Sequence, residues 1–456
     1  MADLIINSSE ESIIDSLNFK LPTTSRYVTD RRQVRFYPSG ASDFTPTGVR
    51  TARILLSGDG GWIDPSSLRI GFTIQNTDAA QKLYLAGGPH VLIERIRIFC
   101  AGTLVEDLGP HYGRMHEMFM NRLMPQNHNM NAAIVNNMMV HNQAHYGPTM
   151  NLSSRPIAPG YSATVLMPIA CGFLKTHKYL PVRYAPVQIE VTFGNAEDAI
   201  VRHIGQHPEG EAAVDKSTSY TMRQLTVFCA QARLDSALES NFAQILLSNR
   251  ALTVPVRTVA TQVQTIPDGS TSFQISLVRA LSRMNAVFVT FTWQEAPPAE
   301  GGGGGFGNFY NQSSVMMGNP SAIVEGFGDG ATNHYERNLT MQLQIGSKMT
   351  PETEASSMGE FFDNLQQAID TYDQSLRTVA IAPQTYSHNF AASFIAGFNL
   401  CRVPGHFASG INTRTGDLLV IKCKNLKPGL SQIKVYVNIL YEGILEIRES
   451  GCSFYD

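Results

Sequence analysis

Apolar and polar residues alternate along much of this chain with a period of two. Every second residue is apolar from Gln432 to Leu440, and the same pattern occurs at Phe273 to Leu277, Met341 to Ile345 and Arg95 to Ile98. Because successive side chains of a β-strand point to opposite faces, this period predicts strands with one buried and one wet face, as antiparallel sheets have.

Two further patterns refine this prediction. Consecutive apolar residues at Ala286 to Trp293 and at Leu225 to Ala230 predict strands that are buried on both faces. Clusters of Gly, Asp, Pro and Ser predict turns between strands at Ser57 to Gly61, Asp64 to Ser67 and Pro267 to Ser270. Many short strands with few helices favour β-sandwiches over a parallel α/β sheet.

Three segments have the apolar spacing of helices, Tyr112 to Leu123, Asp235 to Asn249 and Ser357 to Leu376. In the third, Ser357 and Glu360 have the spacing of a capping box. The first and third helices each carry Met, Glu and Phe at alternate positions, and these residues are offset by 243 positions: Met115, Glu117 and Phe119 against Met358, Glu360 and Phe362.

The surroundings of these two helices predict an internal repeat. Each helix follows an alternating strand and precedes an apolar segment, a buried strand and a long final strand. The three following elements are Tyr161 to Leu174, Pro186 to Phe193 and Tyr220 to Leu234 in the first half, and Phe390 to Val403, Asp417 to Lys424 and Gln432 to Glu446 in the second. The alternative is a chance alignment of two β-rich halves.

The repeat predicts an all-β chain of two tandem antiparallel sandwiches with a few short helices. We expect an N-terminal arm at residues 1–25, a first sandwich at 26–234, a linking helix at 235–249 and a second sandwich at 250–456. Long insertions are predicted at Met124 to Gly160, Asn195 to Ser219 and Glu295 to Asn338, the first of them rich in Met and Asn.

Composition excludes several classes of protein. The 456 residues include 35 Lys and Arg against 38 Asp and Glu, a net charge of −3, so neither a polybasic nor a polyacidic partner is expected. Charged residues are 16% of the chain, against roughly 25% in ordinary domains, while 43% are hydrophobic. That balance argues against disorder and against long exposed helices.

The chain shows no sign of secretion or membrane insertion. Its N-terminus lacks a basic flank followed by an apolar stretch, and its long uncharged stretches, Leu123 to Ser154 and Thr378 to Cys401, are rich in polar residues. The cysteines form no C-x-x-C pair and are interpreted as reduced packing residues of a cytosolic or nuclear protein: Cys100, Cys171, Cys229, Cys401, Cys423 and Cys452.

No motif supports catalysis. The nucleophile elbow, the phosphate-binding loop and the H-E-x-x-H zinc motif are absent from the sequence. Gly301 to Gly305 is interpreted as a surface loop, and the acid pairs Glu106-Asp107 and Glu197-Asp198 as solvated loop acids. Five histidines cluster between residues 111 and 145, namely His111, His116, His128, His141 and His145. Of these, His141 and His145 have the spacing of two metal ligands on one helical turn, but they lack the Glu that would activate a water, and the Asn and Met around them argue against a regular helix.

Nucleic-acid binding has little support. The best basic cluster interleaves Arg26, Arg31, Arg32 and Arg35 with aromatic residues, and the first twenty residues are acidic. The sequence therefore predicts no catalytic, cofactor or metal site, no enzymatic activity and no sequence-specific contact with nucleic acid. A structural protein is the preferred interpretation.

Several short motifs resemble a known family. They are Phe36-Tyr-Pro-Ser-Gly40, Asp43-Phe-Thr-Pro46, Asp64-Pro-Ser-Ser-Leu68, Gly87-Gly-Pro-His90, Val105-Glu-Asp107 and His116-Glu-Met-Phe119. In these the chain resembles the double jelly-roll major capsid proteins of eukaryotic double-stranded DNA viruses, especially the polinton-like and adintovirus-like group and its giant-virus relatives. The resemblance extends over most of the chain after residue 25, with its motifs concentrated in the first half.

This resemblance implies two eight-stranded jelly rolls and a homotrimer that forms a pseudo-hexagonal tile of an icosahedral capsid. It implies a place in the virion, assembly in the host cytoplasm or nucleus, and contacts with penton proteins, minor capsid proteins or an internal membrane. The three insertions would form trimer contacts and outer turrets, and the arm would lie inside. The alternative is a monomeric tandem jelly-roll protein that binds or cleaves glycans.

Overall fold

The structure is a computed structural model. It describes residues 27–58, 61–85, 88–123, 156–173, 178–195, 217–293, 339–370, 394–403, 409–414, 418–426 and 432–456, with short pieces at 135, 138–140, 152–154, 176, 199–200, 203–204, 214–215 and 407. The predicted arm and Gly301 to Gly305 lie outside the described residues, as does most of the three predicted insertions.

The first half is built from fourteen described strands and one helix. The strands are β1 Val28–Phe36, β2 Pro38–Ser39, β3 Asp43–Phe44, β4 Thr51–Leu56, β5 Trp62–Asn76, β6 Ile93–Cys100, β7 Thr103–Leu108, β8 Met138–Val140, β9 Leu152–Ser154, β10 Ser162–Pro168, β11 Val187–Phe193, β12 His203–Ile204, β13 Val214–Asp215 and β14 Tyr220–Leu234. Helix α1, Tyr112–His116, continues as a π-helical turn, Glu117–Arg122. A 3₁₀ turn, Pro89–Leu92, precedes β6.

These strands form two facing antiparallel sheets. One has the order β1-β14-β5-β10, with β3 added beside β14, and the other has the order β2-β4-β11-β6-β7. Small two-stranded sheets, β8-β9 and β12-β13, lie outside the sandwich order.

The second half repeats this plan. After the linking helix α2, Ser236–Leu247, come β15 Leu252–Ile266, β16 Ser272–Ser276, β17 Met284–Trp293, β18 Thr340–Ile345, β19 Lys348–Ala355, α3 Met358–Asp370, β20 Ala396–Asn399, β21 Leu419–Lys424, β22 Ile433–Arg448 and β23 Gly451–Tyr455. The sheets are ordered β15-β22-β17-β20, with β23 beside β22, and β16-β21-β18-β19.

The two halves have the same strand order. Each strand of β1-β14-β5-β10 has its counterpart in β15-β22-β17-β20, and β4-β11-β6-β7 corresponds to β16-β21-β18-β19. Helices α1 and α3 both follow the hairpin made by the last two strands of the second sheet. The predicted repeat and the fold class, two tandem antiparallel jelly rolls, are therefore confirmed.

The alignment of the two helices at an offset of 243 was wrong in detail. The hairpins before the helices close between Cys100 and Thr103 in one half and between Ile345 and Lys348 in the other, so the structural offset is 245 (345 against 100, 348 against 103). Glu117 is buried, whereas Glu360 is exposed and caps α3. The shared Met, Glu and Phe spacing thus joins residues that have different roles.

Alternation along the strands places the apolar side chains in two sandwich cores. Along β4 the residues alternate between exposed and buried, and its Ile54 lies opposite Ile189 of β11, which also lies opposite Ile98 of β6. Phe193 of one sheet packs against Phe44 of the other, with ring centroids 5.3 Å apart. In the second roll Phe273 and Phe291 make the corresponding contact at 6.0 Å.

Of the three predicted turns, one is confirmed, one is wrong, and the turn at Ser57 to Gly61 lies partly outside the described residues. The Pro267 to Ser270 turn is present, and Gly269 has the positive φ of 74° that a residue with a side chain rarely adopts. Asp64 to Ser67, predicted as a turn, lies inside β5. There the β5–β14 register shifts, and the Ser67 hydroxyl accepts a hydrogen bond from Ala230 N at 2.7 Å. Polar side chains support a β-bulge at this point.

Side-chain caps hold the starts of α2 and α3. Asp235 accepts a hydrogen bond from Ala237 N at the start of α2, and Phe242 of α2 packs on Trp62 of the first roll at 4.9 Å. The capping box of α3 is present, since Glu360 N donates to the Ser357 hydroxyl at 3.2 Å and Ser357 N donates to Glu360 Oε2 at 3.0 Å. None of the described helices has the length and apolarity needed to cross a membrane.

Candidate functional site at the seam between the jelly rolls

A buried carboxylate lies where the two jelly rolls meet, in a region that we call the seam. Glu106 of β7 is 1% exposed and accepts hydrogen bonds from Gly172 N at 2.9 Å and from Phe173 N at 3.0 Å. The thiol of Cys171 and the hydroxyl of Thr258 also donate to it. Since Thr258 lies on β15 of the second roll, the carboxylate links the two rolls.

This finding corrects the prediction that Glu106 and Asp107 are solvated loop acids. Both lie within β7, and only Asp107 is partly exposed, where it pairs with Arg95. Burial raises the pKa of Glu106, against the opposing effect of its hydrogen bonds. The second predicted acid pair, Glu197-Asp198, lies outside the described residues.

Next to Glu106 the backbones of the two rolls nearly touch. A Cβ atom at Gly172 would lie 1.2 Å from the carbonyl oxygen of Arg257 on β15. No side chain fits in that space, so glycine is required for this approach. Arg257 in turn pairs across the sheet with the fully buried Glu442 of β22 at 3.0 Å.

Helix α1 of the first roll, with its π-helical turn, covers part of the outer face of sheet β15-β22-β17-β20, and α3 packs on the same face at Gly397 of β20. Phe119 packs edge-on against Phe288 of β17, with centroids 5.4 Å apart, and the Asn438 amide of β22 donates to the sulfur of Met118 at 3.8 Å. Phe288 and Asn438 are direct neighbours across the β17–β22 ladder. This cover explains why β17 is buried on both faces, as its apolar run predicted.

Two further contacts, one from an arginine and one from a histidine, are made to a single tyrosine of the covered sheet. The Arg114 guanidinium lies 4.9 Å above the ring of Tyr436, and the His111 ring meets the same tyrosine edge-on at 5.2 Å. Tyr436 is itself buried on β22. The seam thus combines apolar packing with a few directed polar contacts.

Of the five histidines that cluster in the sequence, two lie beside the seam and act as packing residues. His111 contacts Tyr436, and His116 stacks on His90 at 4.7 Å. His90 Nε2 lies 3.0 Å from Glu117 Oε2, and all three side chains of this second cluster are buried. Across the residues that the structure describes, no three His, Cys, Asp or Glu side chains group as metal ligands would. The other three histidines, His128, His141 and His145, lie outside these residues.

In the first roll, the face equivalent to the covered surface of the second roll is the outer face of sheet β1-β14-β5-β10. It carries two of the four arginines of the predicted basic cluster: Arg35 lies 4.9 Å above the ring of Phe228, and Arg31 pairs with Asp64 at 2.5 Å. Arg31, Arg35 and Arg32 are all exposed, and Arg32 also donates a hydrogen bond to the buried Gln231. Arg26 lies outside the described residues. Phe242 of α2 covers this face at Trp62, whereas the arginines of β1 leave the rest of it exposed in a single chain, and we call it the open face.

Three of the six motifs that carry the resemblance lie at these features. The motif Val105 to Asp107 contains the seam carboxylate, and His116 to Phe119 contains the phenylalanine that packs on Phe288. The motif that ends at His90 supplies the partner of Glu117. Sequence reasoning missed Glu106, Gly172 and Thr258 as a set, because they are far apart in the chain and each is ordinary in its local context.

Two jelly rolls with identical strand order, joined in one polypeptide, define the class of double jelly-roll proteins. No protein-family model and no curated protein sequence matches the chain. Solved structures do match. The chain is similar to VP54 of the virus PBCV-1, as fitted into a reconstruction of the virophage Sputnik, with 12% identity, a TM-score of 0.60 and coverage of 96% of this chain and 99% of that one.

Two other solved structures extend the likeness. The Faustovirus major capsid protein has 8% identity, a TM-score of 0.62 and coverage of 97% of this chain and 94% of that one. The mavirus major capsid protein has 9% identity, a TM-score of 0.51 and coverage of 98% and 94%. At these identities the likeness establishes the fold, and it confirms the double jelly roll over nearly the whole chain.

Proposed function

We propose that this chain is the major capsid protein of a double-stranded DNA virus. The observation that carries the proposal is the match of both jelly rolls, over nearly their full length, to proteins described as the major capsid proteins of Faustovirus and mavirus. Neither a catalytic motif nor a ligand-binding motif competes with it in the sequence. The chain would be a structural protein of the virion and not an enzyme.

The seam supports assembly as a homotrimer. Within one chain, α1 of the first roll covers the outer sheet face of the second roll. If this arrangement were repeated between chains, α3 of the second roll would cover the open face of β1-β14-β5-β10 in the next chain. Three chains would then close a ring of six jelly rolls, which is a pseudo-hexagonal tile.

The charges of the two surfaces fit this arrangement. On the open face Arg35 of β1 is exposed and lies over Phe228, whereas the exposed Arg31 and Arg223 pair with Asp64 and Asp43 of the same chain. The surface around α3 presents exposed acids, Glu352 on β19 and Glu360 and Asp363 on α3. Opposite charges on facing surfaces favour association and fix its orientation.

The remaining assignments are parts of the same proposal. Residues 1–25 would form an inner arm, 26–234 and 250–456 the two rolls, and 235–249 the link between them. The insertions 124–160, 195–219 and 295–338 would supply outer turrets and trimer contacts. Trimers would tile an icosahedral shell after assembly in the host cytoplasm or nucleus. Penton proteins, minor capsid proteins or an internal membrane would be the neighbours, with no sequence-specific contact to nucleic acid.

Light scattering during gel filtration of the purified full-length chain, with negative-stain microscopy, tests the proposal. Trimers with a hexagonal outline are expected. Arg35→Glu should weaken the trimer by about tenfold or more, whereas Arg250→Glu, a matched charge reversal at an exposed arginine after α2, should leave it unchanged. A monomer that binds glycans would contradict the capsid role and support the alternative.

A further inference from the structure

Two thiols from opposite jelly rolls touch at the seam. Cys100 ends β6 of the first roll, and Cys452 lies on β23, which pairs with β22 of the second roll. Their Sγ atoms are 3.6 Å apart, and both cysteines are reduced. We propose that these two residues are an oxidation site at which a disulfide bond joins the two rolls.

The backbone around the two thiols is already held in place. The Thr103 hydroxyl, three residues after Cys100, donates to the carbonyl oxygen of Cys452 at 2.8 Å. Cys452 lies opposite Ile447 in the β22–β23 ladder, and Cys100 lies opposite Val187 in the β6–β11 ladder. A disulfide has an S–S distance of about 2.0 Å, so closing the gap requires a movement of about 1.6 Å, within the range of side-chain rotation.

The two thiols differ in access and acidity, and this difference sets the order of reaction. Cys452 is half-buried, whereas Cys100 is 1% exposed. The hydrogen bond between them raises the pKa of Cys100, as burial also does, and it lowers the pKa of Cys452. Cys452 is therefore the thiol that an external oxidant reaches and that more readily forms the thiolate.

With oxidised glutathione as the oxidant, the bond forms in two exchanges. The Cys452 thiolate attacks one glutathione sulfur, breaks the glutathione disulfide and releases one glutathione thiolate, which takes up a proton. Cys100 then loses its proton, attacks Cys452 Sγ in the mixed disulfide and expels the second glutathione. Two protein thiols are oxidised, and one glutathione disulfide is reduced to two thiols.

The other four cysteines provide internal controls. Burial raises the pKa of Cys229 to about 12, and it also raises the pKa of Cys423 and of Cys401. Cys171 is buried and donates to Glu106. Cys401 is half-buried like Cys452, but its pKa is raised whereas that of Cys452 is lowered, so the first exchange is expected at Cys452.

The bond would tie the last strand of the chain to the first roll. It would close a loop between residues 352 positions apart, and cross-links over long loops restrict the unfolded chain most. The inference depends on the fold and the seam alone and is independent of the proposed capsid role.

The experiment treats the purified full-length protein with oxidised glutathione and maps its peptides by mass spectrometry without reduction. A cross-linked peptide pair that contains Cys100 and Cys452 is expected, together with the loss of two hydrogen atoms from the intact mass. The midpoint of thermal unfolding should rise by roughly 5 °C, and the rise should disappear when a reductant is added.

Three variants test the order of the exchanges. Cys100→Ser should keep one glutathione on Cys452, because the resolving thiol is gone. Cys452→Ser should give neither adduct nor cross-link at Cys100. Cys401→Ser, the same substitution at another half-buried cysteine, should leave the cross-link unchanged. Recovery of the wild-type pair without a cross-link, whether unmodified or carrying glutathione on each thiol, would overturn the proposal.

Discussion

The carboxylate of Glu106 accepts a hydrogen bond from the hydroxyl of Thr258, and this single contact joins the edge strand of one jelly roll to the first strand of the other. Two backbone amides and a thiol from the segment after β10 complete the shell of donors around the same carboxylate. The seam is therefore organised around a buried acid whose donors come from both rolls.

Removing that acid should destabilise the protein. Glu106→Ala leaves several buried donors without an acceptor, and we expect a loss of about 3 kcal/mol in the free energy of unfolding. Glu106→Gln keeps the shape and one acceptor oxygen and should cost less, about 1–2 kcal/mol. Denaturant unfolding measures both. Asp107→Ala, at the partly exposed neighbour, is the control, and an equal loss there would contradict a special role for Glu106.

The contribution of Glu106 should also depend on pH. Because burial raises the pKa of Glu106 in the folded state, its contribution is fully present below the unfolded-state pKa of about 4.3 and is lost as pH rises through the folded-state pKa. The difference in unfolding free energy between wild type and Glu106→Gln should thus become more favourable to wild type on acidification from pH 7. The opposite trend would refute the assignment.

Glu360 should show the reverse dependence. Backbone hydrogen bonds from Ser356 and Ser357 lower the pKa of Glu360, so its stabilising effect is present above the unfolded-state pKa and is lost as pH falls through the folded-state pKa. The advantage of wild type over Glu360→Gln, followed as the thermal midpoint at several pH values, should shrink in acid. A pH-independent difference would mean that the cap does not depend on the charge.

The close approach at Gly172 should tolerate no side chain. Gly172→Ala places a methyl group against the Arg257 carbonyl, and we expect a loss of about 3 kcal/mol or more, or failure to fold as a soluble protein. Gly359→Ala is the matched control, because a Cβ at that position has room. Equal stability of the two variants would show that the rolls can separate locally without cost.

The cover of the second roll should be measurable as a pairwise coupling. A double-mutant cycle with Phe119→Leu and Phe288→Leu should give an interaction energy of about 1 kcal/mol, as edge-on aromatic pairs do. The pair Phe44 and Phe193, which lies within one roll, provides a cycle of the same kind for comparison. A coupling near zero for Phe119 with Phe288 would indicate that the helix lies on the sheet without specific packing.

Much of the fold could be predicted from the sequence because it depends on local patterns. The period of two placed strands such as β16 and β22, and the order of elements around the two helices revealed the repeat. The run from Ala286 was correctly predicted to be buried on both faces. What the run could not show is that its second face is covered by α1, whose sequence lies some 170 positions earlier.

The seam was harder to predict, and Glu106 shows why. In the sequence it is one of two adjacent acids near a strand end, a setting in which solvent exposure is the usual outcome. Its burial depends on Thr258 and on the segment at Gly172, which only the tertiary fold brings to β7. The offset of the repeat was wrong for a related reason. The identical Met, Glu and Phe spacing of the two helices gave 243, whereas the hairpins before the helices align at 245.

The two equivalent sheet faces have different surfaces, one covered within the chain, the other bearing exposed arginines. In the proposed ring the interfaces between neighbouring jelly rolls would therefore be of two alternating kinds. Three would be permanent, within chains, and three would be reversible, between chains. A trimer built in this way would separate along a predetermined half of its interfaces, and mutation could adjust the strength of those interfaces without weakening the subunit itself.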